Sequence, residues 1–321
     1  MTEPAAPSSP ADAVRGSWVT RAPAFMRPYL QLSRYDRPAG FWLLGLPCLI
    51  GLALARAPYS FIPSDASLAA LFVVGAIAMR GAGCTYNDIL DRDIDAKVAR
   101  TALRPLPSGA VTLKRAWLWL LAQCAVGLAV LLCLHDFAKL VALGAIPMVA
   151  LYPLMKRITW WPQVWLGLTF NWGVLVAAAA TQGRIDLADY VLYGALIFWT
   201  LGYDTIYAIQ DREDDALIGV KSTARRFGKS IKPAVTVIYV ICILLAATAG
   251  YLALARFNET AIFPIPPFYG AAAVALFALH LIQQAVRLDP DNGDLALGLF
   301  RANRDAGLLL FAGWAFIAAA I

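Results

Sequence analysis

The chain has 321 residues, 60% of them hydrophobic and only 15% charged, with a mean hydropathy of +0.64 and a formal net charge of +6. A soluble globular protein is nearer half apolar and a quarter charged, so a soluble fold is excluded. Apolar runs of about 20 residues recur without strict alternation, which excludes a β-barrel and predicts an all-α, polytopic membrane protein embedded in the lipid bilayer. The basic excess then belongs on cytoplasmic loops, and nucleic acid is not an expected partner.

Residues 1–25 are rich in Ala, Pro and Ser and read as a disordered tail ahead of a transmembrane domain over 26–321. No basic start followed by an apolar core marks a secretory signal. Glu3 and Asp12 oppose a mitochondrial presequence, which favours a bacterial inner membrane over a mitochondrial one. Nine spans are expected, at about 38–56, 67–86, 115–134, 137–155, 162–182, 187–208, 233–254, 266–286 and 305–321, arranged around a central cavity. With these spans, 22 basic residues fall on one side, including Arg34, Arg37, Arg92, Arg104, Lys156, Arg212 and Lys221. The other side carries only Arg56, Lys139, Arg184 and Arg256. The positive-inside rule puts the N-terminus and the richer side in the cytoplasm.

The second span runs into Asn87-Asp-Ile-Leu-Asp-Arg-Asp-Ile-Asp95, with Arg104-Pro-Leu-Pro-Ser-Gly109 beyond it. On a helix, Asn87, Asp91 and Asp95 stand at i, i+4 and i+8 and share a face, whereas Asp88 and Asp93 point elsewhere. Stacked oxygen donors repel one another unless a cation lies among them, and Mg²⁺ takes such hard ligands together with substrate phosphates. A second stretch, Asp204-Thr-Ile-Tyr-Ala-Ile-Gln-Asp211-Arg-Glu-Asp-Asp215, closes the sixth span. Asp204, Asp211 and Asp215 at i, i+7 and i+11 predict another single face, with Tyr207 at its edge. Both stretches end spans that run in the same direction, which suggests two parallel four-span repeats plus a ninth helix, their acidic faces opposed. Acids at such places are costly and usually functional. Interleaved cations (Arg92, Lys97, Arg100, Arg104, Arg212, Lys221) suit phosphate oxygens, Arg as a bidentate fork. The physical reading is an enzyme that acts on a lipid diphosphate.

Cys48, Cys84, Cys124, Cys133 and Cys242 form no CxxC pair, and His135 and His280 do not cluster with them, so zinc and disulfide readings fail on spacing.

Together the two stretches resemble the NDxxDxxxD and DxxxD signatures of the UbiA superfamily of intramembrane aromatic prenyltransferases. Further similar segments are RYDRPAGFWLLGLPCL, YPLMKRITWWPQ, GLTFNWG and GVKSTARRFG, and they look most like the branch that prenylates 4-hydroxybenzoate in ubiquinone synthesis. The resemblance implies that a polyprenyl group passes from polyprenyl diphosphate to position 3 of the 4-hydroxybenzoate ring, with Mg²⁺ as cofactor. It implies Asn87, Asp91, Asp95, Asp211 and Asp215 as metal ligands, and Asp88 as a motif position, one that faces away on the helical wheel. It also implies Tyr152 and Lys156 as a YxxxK element in the loop after the fourth span, near the reaction centre. Arg37, in the first helix, is the expected partner of the acceptor carboxylate, with interfacial snorkelling as the alternative. Asn171 either faces substrate or ties two helices. Tyr207, Trp160, Trp161 and Trp172 are available to line a passing carbocation.

Other acceptors remain in play within the same superfamily: haem, homogentisate or a naphthoquinone precursor. A CDP-alcohol phosphotransferase would need an Asp-Gly-x-x-Ala-Arg opening, which the chain lacks. A cation-binding transporter would need acids or broken helices near the midplane, whereas these acids sit at helix ends.

Overall fold

A computed structural model of the protein describes residues 16–97, 101–212, 216, 219–259 and 264–320, the side chain of Ile94 excepted. Arg100 and Asp215, named above as candidate phosphate and metal contacts, lie outside the described residues, as do positions 1–15 of the expected tail. Order begins ahead of residue 26: Trp18–Arg21 forms a 3₁₀ turn, Val19 is buried, and the Trp18 indole donates to the Tyr35 carbonyl at 3.0 Å.

The elements are all helical. In chain order they are α1 (Arg27–Leu32), α2 (Ala39–Arg56), α3 (Pro63–Asp95), α4 (Leu113–Leu132), α5 (Asp136–Leu143), α6 (Ile146–Ile158), α7 (Pro162–Phe170), α8 (Gly173–Gln182) and α9 (Leu187–Tyr207). They continue with α10 (Thr223–Phe227), α11 (Ile231–Asn258), α12 (Phe268–Ala272), α13 (Ala275–Arg287) and α14 (Gly293–Ala320). Among the described residues, seven helical segments are long and apolar enough to cross a membrane. They match seven of the nine expected spans. The other two, α9 with 21 residues and α14 with 28, have the length but carry Asp189 and Asp204, and Arg301, Arg304 and Asp305, respectively.

Three expected spans are broken rods. The fourth is divided at Gly144, where Pro147 restarts the helix as α6. The fifth is divided at Asn171 between α7 and α8. The eighth is divided between α12 and α13. In the other direction, α3 runs 33 residues. At 1.5 Å per residue that is roughly 50 Å, well beyond a hydrocarbon core of about 30 Å, so the first acidic stretch is the continuation of a spanning helix.

The chain forms two compact units, Met1–Trp42 with Val73–Leu131, and Leu43–Phe72 with Leu132–Ile321. The division does not fall between the fourth and fifth expected spans. In the first unit, Leu32, Leu106, Val111 and Ala116 make a buried cluster, with Tyr29, Ile89 and Trp119 against it. In the second unit α9 packs along α11, with Gly202 making room for the Tyr239 ring. A polar chain ties four helices of this unit. The Trp199 indole donates to Asn303 Oδ1 at 2.8 Å, and Asn303 Nδ2 donates to Gln284 Oε1 at 3.1 Å. Tyr239 donates to the same Gln284 oxygen at 3.0 Å.

Close helix contact in a membrane is bought with small residues. Gly250 of α11 and Gly270 of α12 lie so near that a methyl on either would sit on the other's carbonyl oxygen, and the Gly270 oxygen also accepts from the Trp314 indole at 3.0 Å. Gly250→Ala should therefore destabilise the second unit by about 1–3 kcal/mol, the cost of overpacking. Thermal unfolding in detergent reads this, and an unchanged midpoint would mean that the two helices part freely.

Candidate active site

The first acidic stretch is built on α3. The face expected for Asn87 and Asp91 is present, since Asn87 Nδ2 donates to Asp91 Oδ2 at 3.1 Å, one turn on. Asp91 is 1% exposed and Asp95 is also buried. Asp93 is not part of this group: its carboxylate is solvent-facing and meets Arg92 at 3.0 Å. That pairing also holds Arg92 on the exposed side, away from the buried acids.

Asp88 departs from the helical-wheel expectation. It does not point away but is fully buried, held by Arg34 Nη2 at 2.7 Å and approached by Arg104 Nη1 at 3.7 Å. The same Arg104 nitrogen binds Asp95 Oδ2 at 2.8 Å. Asp88, Asp91 and Asp95 stand at i, i+3 and i+7, which is as much one helical side as the i, i+4, i+8 series. The second carboxylate oxygen of Asp88 is buried without a hydrogen-bond partner.

Arg34, counted from the sequence only as a cytoplasmic charge, is thus part of the site. It is the one described non-glycine residue with a positive φ, +59°. The turn that imposes this is pinned on α3 and α4. The Trp119 indole and Gln123 Nε2 each donate to Ser33 Oγ at 2.7 Å, and the Tyr35 hydroxyl donates to the Ile77 carbonyl at 3.0 Å. Arg37 lies in this same turn and not in a helix. Its guanidinium meets Asp36 at 3.1 Å.

Arg80 was also missed. It sits on α3 two turns before Asn87, and its guanidinium packs where a side chain on Gly40 would otherwise be. A cation within a spanning helix is a functional candidate by default. The signal was available: of the 27 Lys and Arg residues, this one alone lies in the interior of an expected span, since Arg56, Arg115 and Lys139 stand within three residues of a span end.

The connection after α3 folds back on its end. Thr101 Oγ1 donates to the Asp95 carbonyl at 2.8 Å, and Leu106 and Val111 are buried in the cluster described above. Arg104 is delivered from this anchored loop.

The second stretch differs from its expected geometry. α9 stops at Tyr207, and Asp211 lies in a turn, so Asp204 and Asp211 do not continue one helical face. The Tyr207 carbonyl is taken by the Gln210 N–H and by the Gln210 side-chain amide, both at 3.3 Å, which tightens the last turn and ends the helix. The Tyr207 ring packs on Phe300 with centroids 4.6 Å apart.

Tyr152 and Lys156 lie on α6 itself, i and i+4 apart, because the helix runs on to Ile158 instead of yielding to a loop. The Lys221 N–H donates to the Lys156 carbonyl at 3.1 Å, and the Lys221 ammonium donates to the Ile158 carbonyl at 3.1 Å. With the Thr223 N–H on Gln163 Oε1 at 3.1 Å, the GVKSTA segment is a strap across the connection that follows α6. Asn171 is fully buried. Its Nδ2 donates to the Gly167 and Leu196 carbonyls and to Thr200 Oγ1, which ties α7 to α9, while its Oδ1 is buried without a hydrogen-bond partner.

The donors on α3 suit a hard divalent cation: an amide and two buried carboxylates on one side of a helix, next to a carboxylate oxygen with no partner. Among the described residues no three acid, imidazole or thiol groups converge closely enough to hold a metal unaided.

Residues 44–304 match the model of the UbiA prenyltransferase family. The chain is 44% identical over 298 residues to the human protein named 4-hydroxybenzoate polyprenyltransferase, mitochondrial, covering 92% of this chain and 76% of that one. It is 42% identical over 299 residues to the Arabidopsis thaliana protein of the same name, covering 92% and 70%. Among solved structures, the apo structure of a UbiA homologue from Aeropyrum pernix K1 is 27% identical with a TM-score of 0.67, covering 85% of this chain and 96% of that one. A UbiA homologue from Archaeoglobus fulgidus bound to GPP and Mg²⁺ shares the fold at 20% identity and TM-score 0.64, covering 92% and 100%.

Proposed function

The chain belongs to the UbiA prenyltransferase family, and from that premise we propose that it transfers a polyprenyl group from polyprenyl diphosphate to carbon 3 of 4-hydroxybenzoate, a step of ubiquinone biosynthesis. The observation that carries this reading is the Asn87–Asp91–Asp95 face, with both carboxylates buried and its arginines beside them, at the end of a spanning helix, in a chain whose relatives are named 4-hydroxybenzoate polyprenyltransferase.

Asn87, Asp91 and Asp95, with Asp211 and Asp215, are the proposed Mg²⁺ ligands. Bound Mg²⁺ would neutralise charge on the departing diphosphate. The protein's own groups do the rest. Arg104 and Lys156 supply cations to diphosphate oxygens, and guanidinium forks suit such oxygens. Tyr152 and Tyr207 offer aromatic faces to the allylic cation as the C–O bond breaks. The apolar spanning helices keep water from that cation. The electron-rich ring attacks at the carbon ortho to its hydroxyl, forming the C–C bond, and loss of the ring proton restores aromaticity. For the acceptor carboxylate, Arg80 replaces Arg37 as the proposed partner. It is a cation inside the spanning helix, on the helix that carries the acidic face, whereas Arg37 is bound to Asp36.

The protein is a multi-pass membrane protein. The bacterial inner membrane expected from the tail is not matched by the named relatives, which are mitochondrial, so the proposed location leans to the mitochondrial inner membrane.

Membranes containing the protein, incubated with Mg²⁺, 4-hydroxybenzoate and a mixture of polyprenyl diphosphates, should yield ring-prenylated 4-hydroxybenzoate by mass spectrometry. The product should be lost on chelation and restored by Mg²⁺. Prenylation of homogentisate or a naphthoate in its place would overturn the acceptor and keep the chemistry.

A further inference from the structure

Arg104 touches both ends of the buried acidic row, but unequally. Its Nη1 is 2.8 Å from Asp95 Oδ2 and 3.7 Å from Asp88 Oδ1, and Asp88 has a closer partner of its own in Arg34 at 2.7 Å. Arg104 is therefore the short cationic contact of Asp95. The backbone that carries it is fixed. The Arg104 N–H donates to Thr101 O at 2.9 Å, the Ser108 N–H to Arg104 O at 3.0 Å, and the Val111 N–H to Pro105 O at 2.8 Å, over the buried Leu106 and Val111. What can move is the long side chain, which has one charge to give and more than one anion to serve.

We propose that Arg104 is an exchangeable counter-ion: it neutralises Asp95 while no divalent cation is present, and passes to the diphosphate when a cation takes Asp95. This inference rests on the metal-dependent reading above. The exchange needs no uncompensated carboxylate at any stage. Buried charge costs much unless paired, so a resident guanidinium keeps the empty site folded. The incoming cation replaces it at Asp95, and the released fork has the geometry to grip two diphosphate oxygens. Metal and diphosphate then bind cooperatively, because the first frees the group that the second requires.

The signature is a pair of effects with opposite sign. Full-length protein in nanodiscs is titrated with Mn²⁺ alone, followed by its paramagnetic signal, and then with inorganic diphosphate at saturating Mn²⁺. Mn²⁺ is used because it takes the same oxygen ligands as Mg²⁺. Arg104→Gln should tighten Mn²⁺ alone and weaken diphosphate, each by about tenfold, the worth of one charge-assisted hydrogen bond. Lys114→Gln, an exposed position in the same unit, makes the same change of charge without the contact and controls for long-range electrostatics. Arg104→Lys, which keeps the charge and loses the fork, should leave Mn²⁺ near wild type and still weaken diphosphate.

Weaker binding of both ligands by folded Arg104→Gln would make Arg104 a structural brace and overturn the exchange. Mn²⁺ binding tightened no more than in Lys114→Gln would overturn it as well. In either case the prenyltransferase reading stands. If wild-type protein binds neither Mn²⁺ nor diphosphate, the metal-dependent reading falls with it. Should Arg104→Gln fail to fold, the Arg104→Lys titrations decide: unchanged diphosphate affinity there overturns the proposal.

Discussion

Asp91→Asn and Asp211→Asn should each lower prenyl transfer on the order of a hundredfold or more, in kcat and kcat/KM together. The leaving diphosphate gains charge as the C–O bond breaks, so a group that helps neutralise it acts mainly in the transition state. A lost metal ligand costs several kcal/mol there, at about 1.4 kcal/mol per decade of rate. Asp93→Asn is the internal control. Its carboxylate is exposed and meets only an exposed Arg92, a contact worth little. Activity is measured as Mg²⁺-dependent prenylation in membranes, normalised to protein. Near-normal turnover in either of the first two variants, or an equal loss in Asp93→Asn, would sink the ligand assignment.

Arg34→Ala should cost about 3–5 kcal/mol of stability, because it strips a buried carboxylate of its short ion-pair partner. Asp88 is 1% exposed in its side chain, and its second oxygen already lacks a hydrogen bond. Arg104 at 3.7 Å is too far, and too committed to Asp95, to replace the 2.7 Å contact. The thermal midpoint in detergent should fall by roughly 10 °C. The double variant Arg34→Ala/Asp88→Asn should recover most of that loss, since a neutral amide needs no cation. A double variant as unstable as the single one would assign the cost to the turn itself, where Arg34 holds φ at +59°.

The first acidic stretch was legible because its residues are local: Asn87, Asp91 and Asp95 lie on one uninterrupted helix, and 3.6 residues per turn fixes their side. The all-α membrane class was legible from hydropathy for the same reason. What failed was non-local or set by side chains. Asp88 was assigned outward because a helical wheel has no knowledge of Arg34, which arrives from 54 residues away. The second stretch lost its helix at Tyr207 to a competing Gln210 amide, which no periodicity reports. Asn171 and Lys221 bear polar groups that suit a substrate, yet each also makes a tertiary contact that the sequence does not report, Asn171 Nδ2 to the Leu196 carbonyl and the Lys221 ammonium to the Ile158 carbonyl. Arg80 escaped because counting charges by loop discards any charge within a span.

The polar chain Trp199–Asn303–Gln284–Tyr239 has a consequence for how the protein is made. Its members are spread over 105 positions, and a membrane chain is inserted from its N-terminus onward. While α9 and α11 are already in the bilayer, Trp199 and Tyr239 have no Asn303 or Gln284 to meet, and hydrocarbon offers no substitute. The partners are complete only when α14, which carries Asn303, has been delivered. Assembly of the second unit therefore waits for α14, and a chain cut short before residue 303 leaves the Trp199 indole and the Gln284 carboxamide without the Asn303 partner that joins them.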